Sequence, residues 1–419
     1  MRIEEKGVRT VLHSDLNNFY ASVETLRHPE FRDKPLAVFG SIEDRHGIVL
    51  AKNGLAKACG IRTGDVYWQA KKKCPDLTEV QADFSAYYAV SEQIFAVYER
   101  YTDKIEPFGI DECWLDVSDC VKYFGSGREI AERISAEIKR KFSLTVSIGV
   151  SWNKIFAKLG SDLKKPDAIT EITQDNYKTL IWKLPAENLL FVGKATKEKL
   201  NKYNIFTIGD LAVADENFLC EKLGKWGVYL RRYANGKDDA PVAQKSGEKI
   251  VKSVGNSLTS YRDLVNFDEV KPLLVLLCES VASRLRQGGY GKAHTVKVTA
   301  TDNLLLTHGK QDRFPVPVRN AKEICERACA LFSSFFDWSA PVRAVGVSVS
   351  DFTKDGGLFD YSPQEIKNEK LEEAVDKLKE KYGSKCLQRA EILKDKRFFD
   401  MDVTGGHLVF SDDNKDNRS

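Results

Sequence analysis

Several features that would narrow the reading of this chain are missing. No run of about 18 apolar residues occurs, so no membrane-spanning helix is expected. The opening residues, Met1-Arg2-Ile3-Glu4-Glu5-Lys6, lack the apolar stretch of a secretory signal, and the expected location is the cytoplasm. The nine cysteines include one close pair, Cys325 and Cys329, with no second pair and no suitably spaced histidine. A structural zinc ion needs about four ligands, so reduced cysteines used as small apolar residues are expected. Charge of one sign is scarce too: 64 basic residues meet 61 acidic ones, for a net charge of +3.

That average hides a division. Residues 243–350 carry 15 Lys and Arg against 10 acids, whereas residues 351–419 carry 13 against 16. A basic module followed by a more acidic end suits contact with a phosphate backbone. With 419 residues, 42% of them apolar and 30% charged, the chain is expected to form two to four globular domains.

Two short stretches place acids where burial would penalise them. One is Val11-Leu12-His13-Ser14-Asp15-Leu16-Asn17-Asn18-Phe19-Tyr20, and the other is Ile110-Asp111-Glu112-Cys113-Trp114-Leu115-Asp116-Val117. Each reads as a strand edge in which apolar residues are broken by carboxylates. An ionised carboxylate in apolar surroundings costs several kcal/mol unless it is paired or bound to a metal. Asp15, Asp111 and Glu112 therefore need a compensating positive charge, and magnesium, a hard ion that bridges to phosphates, is the natural candidate.

Strands are expected at 8–15, 35–39, 110–117 and 145–150, with helices at 19–26, 87–101, 127–142 and 153–163. Antiparallel strands with helices on one face make an α+β layer, with a small inserted unit at 41–83. Lys164-Lys165-Pro166 stops the last of these helices. Short helices follow between 175 and 236, separated by glycine turns at Gly193 and Gly224, and 235–241 reads as a linker. From 249 to 352 the expected order is strand, helix (267–287), strand (295–301), strand (304–308), helix (321–336), strand (342–351). This β-α-β-β-α-β pattern is ferredoxin-like. A charged helix at 364–382 and a tail complete the chain.

Three motifs occur in order: Asp15-Leu16-Asn17-Asn18-Phe19-Tyr20-Ala21-Ser22-Val23-Glu24; Ile110-Asp111-Glu112 with Leu115-Asp116-Val117; and Ser147-Ile148-Gly149-Val150-Ser151-Trp152-Asn153-Lys154 running through Ala157-Lys158-Leu159 to Asp162-Leu163-Lys164-Lys165-Pro166. Together they resemble the Y-family translesion DNA polymerases of bacteria, over about residues 8–380. The resemblance implies a right-hand architecture: an α+β, ferredoxin-like palm (1–40 and 84–170), small fingers (41–83), a helix-hairpin-helix thumb (171–240), a little finger (243–352) and a charged C-terminal helix and tail (353–419).

It also implies low-fidelity, template-directed addition of deoxynucleotides with two Mg²⁺ ions, for which Mn²⁺ could substitute. One ion activates the primer 3′-hydroxyl and the other escorts the triphosphate. By position Asp15 and Asp111 would bridge both ions, Glu112 would complete the primer side, and the Leu16 carbonyl would help hold the nucleotide's ion. Tyr20 falls where a ring excludes a 2′-hydroxyl, with Phe19 beside it, and Lys165 where a lysine meets the triphosphate. The fingers differ from the commonest pattern: Gly54 and Lys57 stand where many members have Tyr-x-x-Arg, closer to the branch of the DNA polymerase V catalytic subunit.

Gly193 with Lys194, and Gly224 with Lys225, would approach DNA phosphates. Arg284, Arg286, Lys292, Lys297 and Arg343 are the expected duplex contacts on charge alone. Leu358 and Phe359 occupy the place of a sliding-clamp peptide. The expected partners are thus primed template DNA, deoxynucleoside triphosphates and the replicative clamp, engaged by a monomer. Two other readings share parts of this pattern: a DNA-binding accessory protein with weakened catalysis, motivated by Gly54 and Lys57, and a nucleotidyl cyclase, which would have no use for the thumb or the basic module.

Overall fold

The structure is a computed structural model that describes residues 9–40, 47–244, 251–353, 363–383, 385–394 and 397–398. It divides into two compact units, with the boundary just before residue 248.

The first unit begins with β1 (Val11–Leu16), α1 (Phe19–Arg27), β2 (Leu36–Phe39), β3 (Val49–Lys52), α2 (Gly54–Ala58), α3 (Tyr67–Lys73) and β4 (Thr78–Gln81). It continues with α4 (Phe84–Tyr98), β5 (Ile105–Pro107), β6 (Glu112–Asp116), α5 (Val121–Phe124), α6 (Gly127–Phe142), β7 (Val146–Ser151), α7 (Lys154–Leu163) and β8 (Ile169–Glu171). Five strands form one sheet in the order β5-β6-β1-β7-β8, with β1 central and antiparallel to both neighbours.

Every residue of β1 and β7 is buried, because helices cover both faces rather than the single face expected from the sequence. Gly127 of α6 lies against Leu12 and Val150, while Gly149 lies against α7. Successive strand residues point to opposite faces, so α6 and α7 are on opposite sides of the sheet. Polar capping starts both helices: Ser126 and Glu129 form a capping box for α6, and the Asn153 side chain accepts from the Phe156 N–H for α7.

A separate three-stranded sheet has the order β3-β2-β4. Leu36–Phe39, placed in the larger layer by the boundary at 40, pairs instead with β3 and β4, so the small unit begins some five residues earlier. Helices α8 (Tyr177–Ile181), α9 (Lys194–Asn201), α10 (Ile208–Val213), α11 (Glu216–Leu223) and α12 (Lys225–Ala234) complete the first unit around their own apolar cluster.

The second unit runs β9 (Ser253–Leu264), α13 (Phe267–Gln287), β10 (Lys292–Asp302), β11 (Thr307–Val318), α14 (Ala321–Phe335), β12 (Val342–Thr353) and α15 (Pro363–Tyr382). The element order up to β12 is the one expected, but the strand assigned to 304–308 lies elsewhere. Leu304, Leu305 and Leu306 are 70%, 68% and 58% exposed at a hairpin turn, and β11 continues to Val318. The sheet order is β11-β10-β12-β9, so β11 is an edge strand and tolerates Pro315 and Pro317, which cannot donate to a ladder. Val296, Val298, Ala300, Val345, Val347 and Val349 pack into the core with α13 and α14.

One close approach fixes where α7 sits. A Cβ at Gly149 would overlap the Ala157 carbonyl oxygen and the Ser161 nitrogen of α7. Gly149→Ala should therefore cost about 3 kcal/mol of stability, measured by urea denaturation, because both obstacles are backbone and cannot rotate away. Wild-type stability in this variant would mean that α7 is not seated so closely.

Candidate active site

The register of β1 and β6 sets Asp15 directly opposite Glu112. The Leu16 N–H donates to the Asp111 carbonyl oxygen at 3.0 Å, which draws the residue before β6 against the end of β1. Like charges facing each other across strands repel, and two flanking cations answer that repulsion here. Lys158 Nζ, from α7, lies 3.1 Å from Asp15 Oδ2, 2.7 Å from Glu112 Oε2 and 3.3 Å from Asp162 Oδ2. Lys165 Nζ lies 2.7 Å from the same Asp15 oxygen and 2.8 Å from Asp162 Oδ1.

Burial works to raise the Asp15 carboxyl, but the Lys158 and Lys165 ammoniums prevail and hold it below its usual range. Asp111 goes the other way. Burial, and after it the Asp15 charge, push its carboxyl up to about 6. Glu112 is also shifted upward, chiefly by burial and against the pull of Lys158. Three acids thus share a space that keeps fewer than three of them comfortably ionised, the situation that bound cations relieve.

His13 belongs to the same cluster. One ligand atom each from His13, Asp15 and Glu112 lies within 4.8 Å of the others. The ring is fully buried, with Nδ1 2.9 Å from Ser161 Oγ and Nε2 3.5 Å from Glu112 Oε2. Burial, then the Lys158 charge, keep the imidazole neutral, so the Glu112 contact is not an ion pair, and Nε2 has no hydrogen-bond partner. An orphaned buried nitrogen beside converging carboxylate oxygens fits a divalent cation; oxygen-rich donors suit a hard ion.

Tyr20, on α1, stacks on Tyr87 with ring centroids 4.5 Å apart and the planes 10° from parallel. Its hydroxyl is pushed up to about 12 by burial and then by the Asp111 charge, so the ring borders the acidic cluster. Phe19, expected beside a nucleotide, is only 3% exposed and packs against Tyr20 and Tyr87. It backs the Tyr20 ring and offers no face to a ligand.

In the small unit Lys57 is exposed on α2, and Lys52 is lowered by burial and then by the Lys57 charge. Lys52, which no spacing in the sequence marks, bonds Thr63 Oγ1 at 3.1 Å. Gly193 and Gly224 precede α9 and α12, and neither helix has a side-chain cap, whereas α10 and α11 are capped by Thr207 and Asp215. The two starts leave backbone amide donors that no side chain caps, with exposed Lys194 and Lys225 alongside. Gly224 has φ +67° and ψ −162°, a conformation essentially reserved for glycine.

The five basic residues expected to meet duplex separate in the second unit. Lys297 is exposed on the sheet face away from α13 and α14, in register with Ser348 and Gln311. Lys292 and Arg343 are half-buried, and Arg284 Nη1 donates to the Gly255 carbonyl at 3.3 Å. Arg286 is a correction. Its guanidinium, 9% exposed, pairs with Glu372 and Asp376 of α15 and is committed to holding that helix. Charge counting sees the arginine but not the acids that fold back onto it. Leu358 and Phe359 lie outside the described residues.

Comparison with known proteins accords with this geometry. The impB/mucB/samB family profile matches residues 14–162, and the profile of that family's C-terminal domain matches 251–358. DNA polymerase IV of Acetivibrio thermocellus is 49% identical over 393 residues, covering 93% of this chain and 98% of the relative. DNA polymerase IV 1 of Bacillus subtilis is 36% identical, covering 92% and 94%. Among solved structures, a Y-family DNA polymerase chimera of Dbh and Dpo4 is 27% identical, covers 83% of this chain and 100% of its own, and superposes with a TM-score of 0.72. No described helix is long and apolar enough to cross a membrane.

Because Asp111 titrates higher in the fold than the usual unfolded value of about 3.9, its burial penalty is full above pH 6 and is relieved as pH falls toward 4. With divalent ions chelated, the melting temperature should rise as pH drops from 7 to 5, and Asp111→Asn should flatten that slope. A melting temperature that falls over this window in the parent protein would contradict the assigned crowding.

Proposed function

Since the chain belongs to the impB/mucB/samB family, that of the Y-family DNA polymerases, we propose that Asp15, Asp111 and Glu112 are its catalytic carboxylates and hold two Mg²⁺ ions, replaceable by Mn²⁺. The protein is a DNA-directed DNA polymerase of the translesion class. The observation that carries the site assignment is the register that sets Asp15 opposite Glu112, with Asp111 drawn against the same strand end.

The bound ions supply activation of the primer 3′-hydroxyl and neutralisation of the triphosphate and departing pyrophosphate. Asp15 and Asp111 would hold both ions, Glu112 would complete the primer side, and the Leu16 carbonyl would help hold the nucleotide's ion. Lys165 leaves Asp15 for a phosphate oxygen of the deoxynucleoside triphosphate, as a flexible point charge can. Lys57, with Lys52 near it, adds positive charge on the fingers side. The Tyr20 ring, braced by Phe19 and Tyr87, lies under the sugar and leaves no room for a 2′-hydroxyl.

Primed template DNA is held through its backbone by the uncapped helix starts at Gly193-Lys194 and Gly224-Lys225, and by the exposed sheet face that carries Lys297. One chain acts as a monomer. Recruitment by a sliding clamp would rest on Leu358 and Phe359. The accessory-protein reading loses support because a site without chemistry has no reason to keep three costly carboxylates together.

Two substitutions test these roles. Asp111→Ala should lower primer extension by roughly 10²–10³-fold or more while DNA affinity stays within a few fold; retained synthesis would refute the carboxylate assignment. Tyr20→Ala should admit ribonucleotides, read as the ratio of ribo- to deoxynucleotide incorporation, and an unchanged ratio would remove the ring from sugar selection.

A further inference from the structure

Lys158 has no part in the chemistry just described, yet it holds the most central position in the cluster. Its side chain is 14% exposed, and its ammonium bridges one oxygen of Asp15 and one of Glu112, on adjacent strands. A divalent ion between those carboxylates needs the same oxygens at about 2.0–2.6 Å. Two cations cannot share them, since a +1 and a +2 charge would stand within about 3 Å of each other with little water between.

The helix provides an exit. Asp162 is one turn further along α7, 44% exposed, with Oδ2 already 3.3 Å from Lys158 Nζ. Its other oxygen holds Lys165 at 2.8 Å. The acid thus stands beside both lysines, on the solvent side of the pair they cover. A four-carbon stem lets an ammonium change partners by rotation, whereas a guanidinium fork would tie itself to both carboxylates.

We propose that Lys158 is a displaceable internal counter-ion: it bridges Asp15 and Glu112 until a divalent ion binds between them, and then moves to Asp162. This rests on the reading that the acidic trio is the ion site. The lysine keeps the facing acids from repelling one another, and its displacement sets the ion concentration at which the site fills. Lys165 answers to the same acids, but its route leads to the nucleotide; Lys158 moves in response to the ion alone.

The test is Mn²⁺ binding to the full chain without DNA or nucleotide, at one pH, followed by the electron paramagnetic resonance of free Mn²⁺. Lys158→Met removes the competitor and should tighten binding about tenfold, whereas a lysine that merely organised the site would give weaker binding on removal. Lys158→Arg should not tighten it. Asp162→Asn removes the alternate partner and should weaken binding several-fold. With Mn²⁺ chelated, Lys158→Met should melt a few degrees below the parent, and saturating Mn²⁺ should close that gap.

Unchanged or weaker binding in Lys158→Met overturns the proposal. If that variant does not fold, Asp162→Asn decides: weaker binding supports the exchange, and equal or tighter binding overturns it. Asp111→Ala separates the two levels. If it binds Mn²⁺ as tightly as the parent, the ion-site reading itself fails. If it loses binding while Lys158→Met shows no gain, only the counter-ion proposal fails.

Discussion

The constraint on which the molecule turns is the repulsion between carboxylates that the sheet forces together. Antiparallel pairing of β1 with β6 leaves Asp15 and Glu112 side by side, and the Leu16–Asp111 backbone bond adds a third acid. β1 is buried throughout and β6 at its three central residues, which limits how far these groups can turn toward water. The fold answers with α7, whose Lys158 reaches over the pair, and with Lys165 just beyond the helix. Gly149 exists where it does because α7 has to come within backbone contact of the sheet to deliver those ammoniums. A stability requirement and a chemical requirement are met by the same approach of helix to sheet.

From this centre the functional parts follow by chain connectivity. Only Asn17 and Asn18 separate the strand that carries Asp15 from α1, so Tyr20, at the start of that helix, borders the acids and is braced by Tyr87 of α4. The glycine turns before α9 and α12 lie in the same compact unit, while the sheet face with Lys297 belongs to the second unit. There α15 occupies Arg286 and Arg319 through Asp376, Glu372 and Glu369, and the Glu372 carboxylate also accepts from the Ala321 N–H at the start of α14. The opposite face of the sheet carries Lys297 in register with Gln311 and Ser348.

The parts most legible in the sequence were those where one residue type has one physical reason to be present. Carboxylates inside apolar strands mark the acids that the fold brings together, and periodicity gives α6 and α13 with the bounds the structure shows. Legibility failed where the deciding partner is remote. β11 looks like loop because it is polar and contains two prolines, features that only its edge position makes acceptable. Leu304–Leu306 look like strand because they are apolar, yet they form an exposed turn. Arg286 carries the charge expected of a DNA contact, but acids about 90 residues later claim it. Lys158 and His13 lie within the motifs, but spacing along the chain does not reveal that both reach Glu112.

The most direct test of the central claim is anomalous diffraction at the manganese edge from crystals of this protein grown with primed template DNA, a non-hydrolysable deoxynucleotide and Mn²⁺. The account predicts two anomalous peaks, both within coordinating distance of Asp15 and Asp111, with Glu112 on the primer-side ion. Manganese located elsewhere, or bound without those carboxylates, would contradict it.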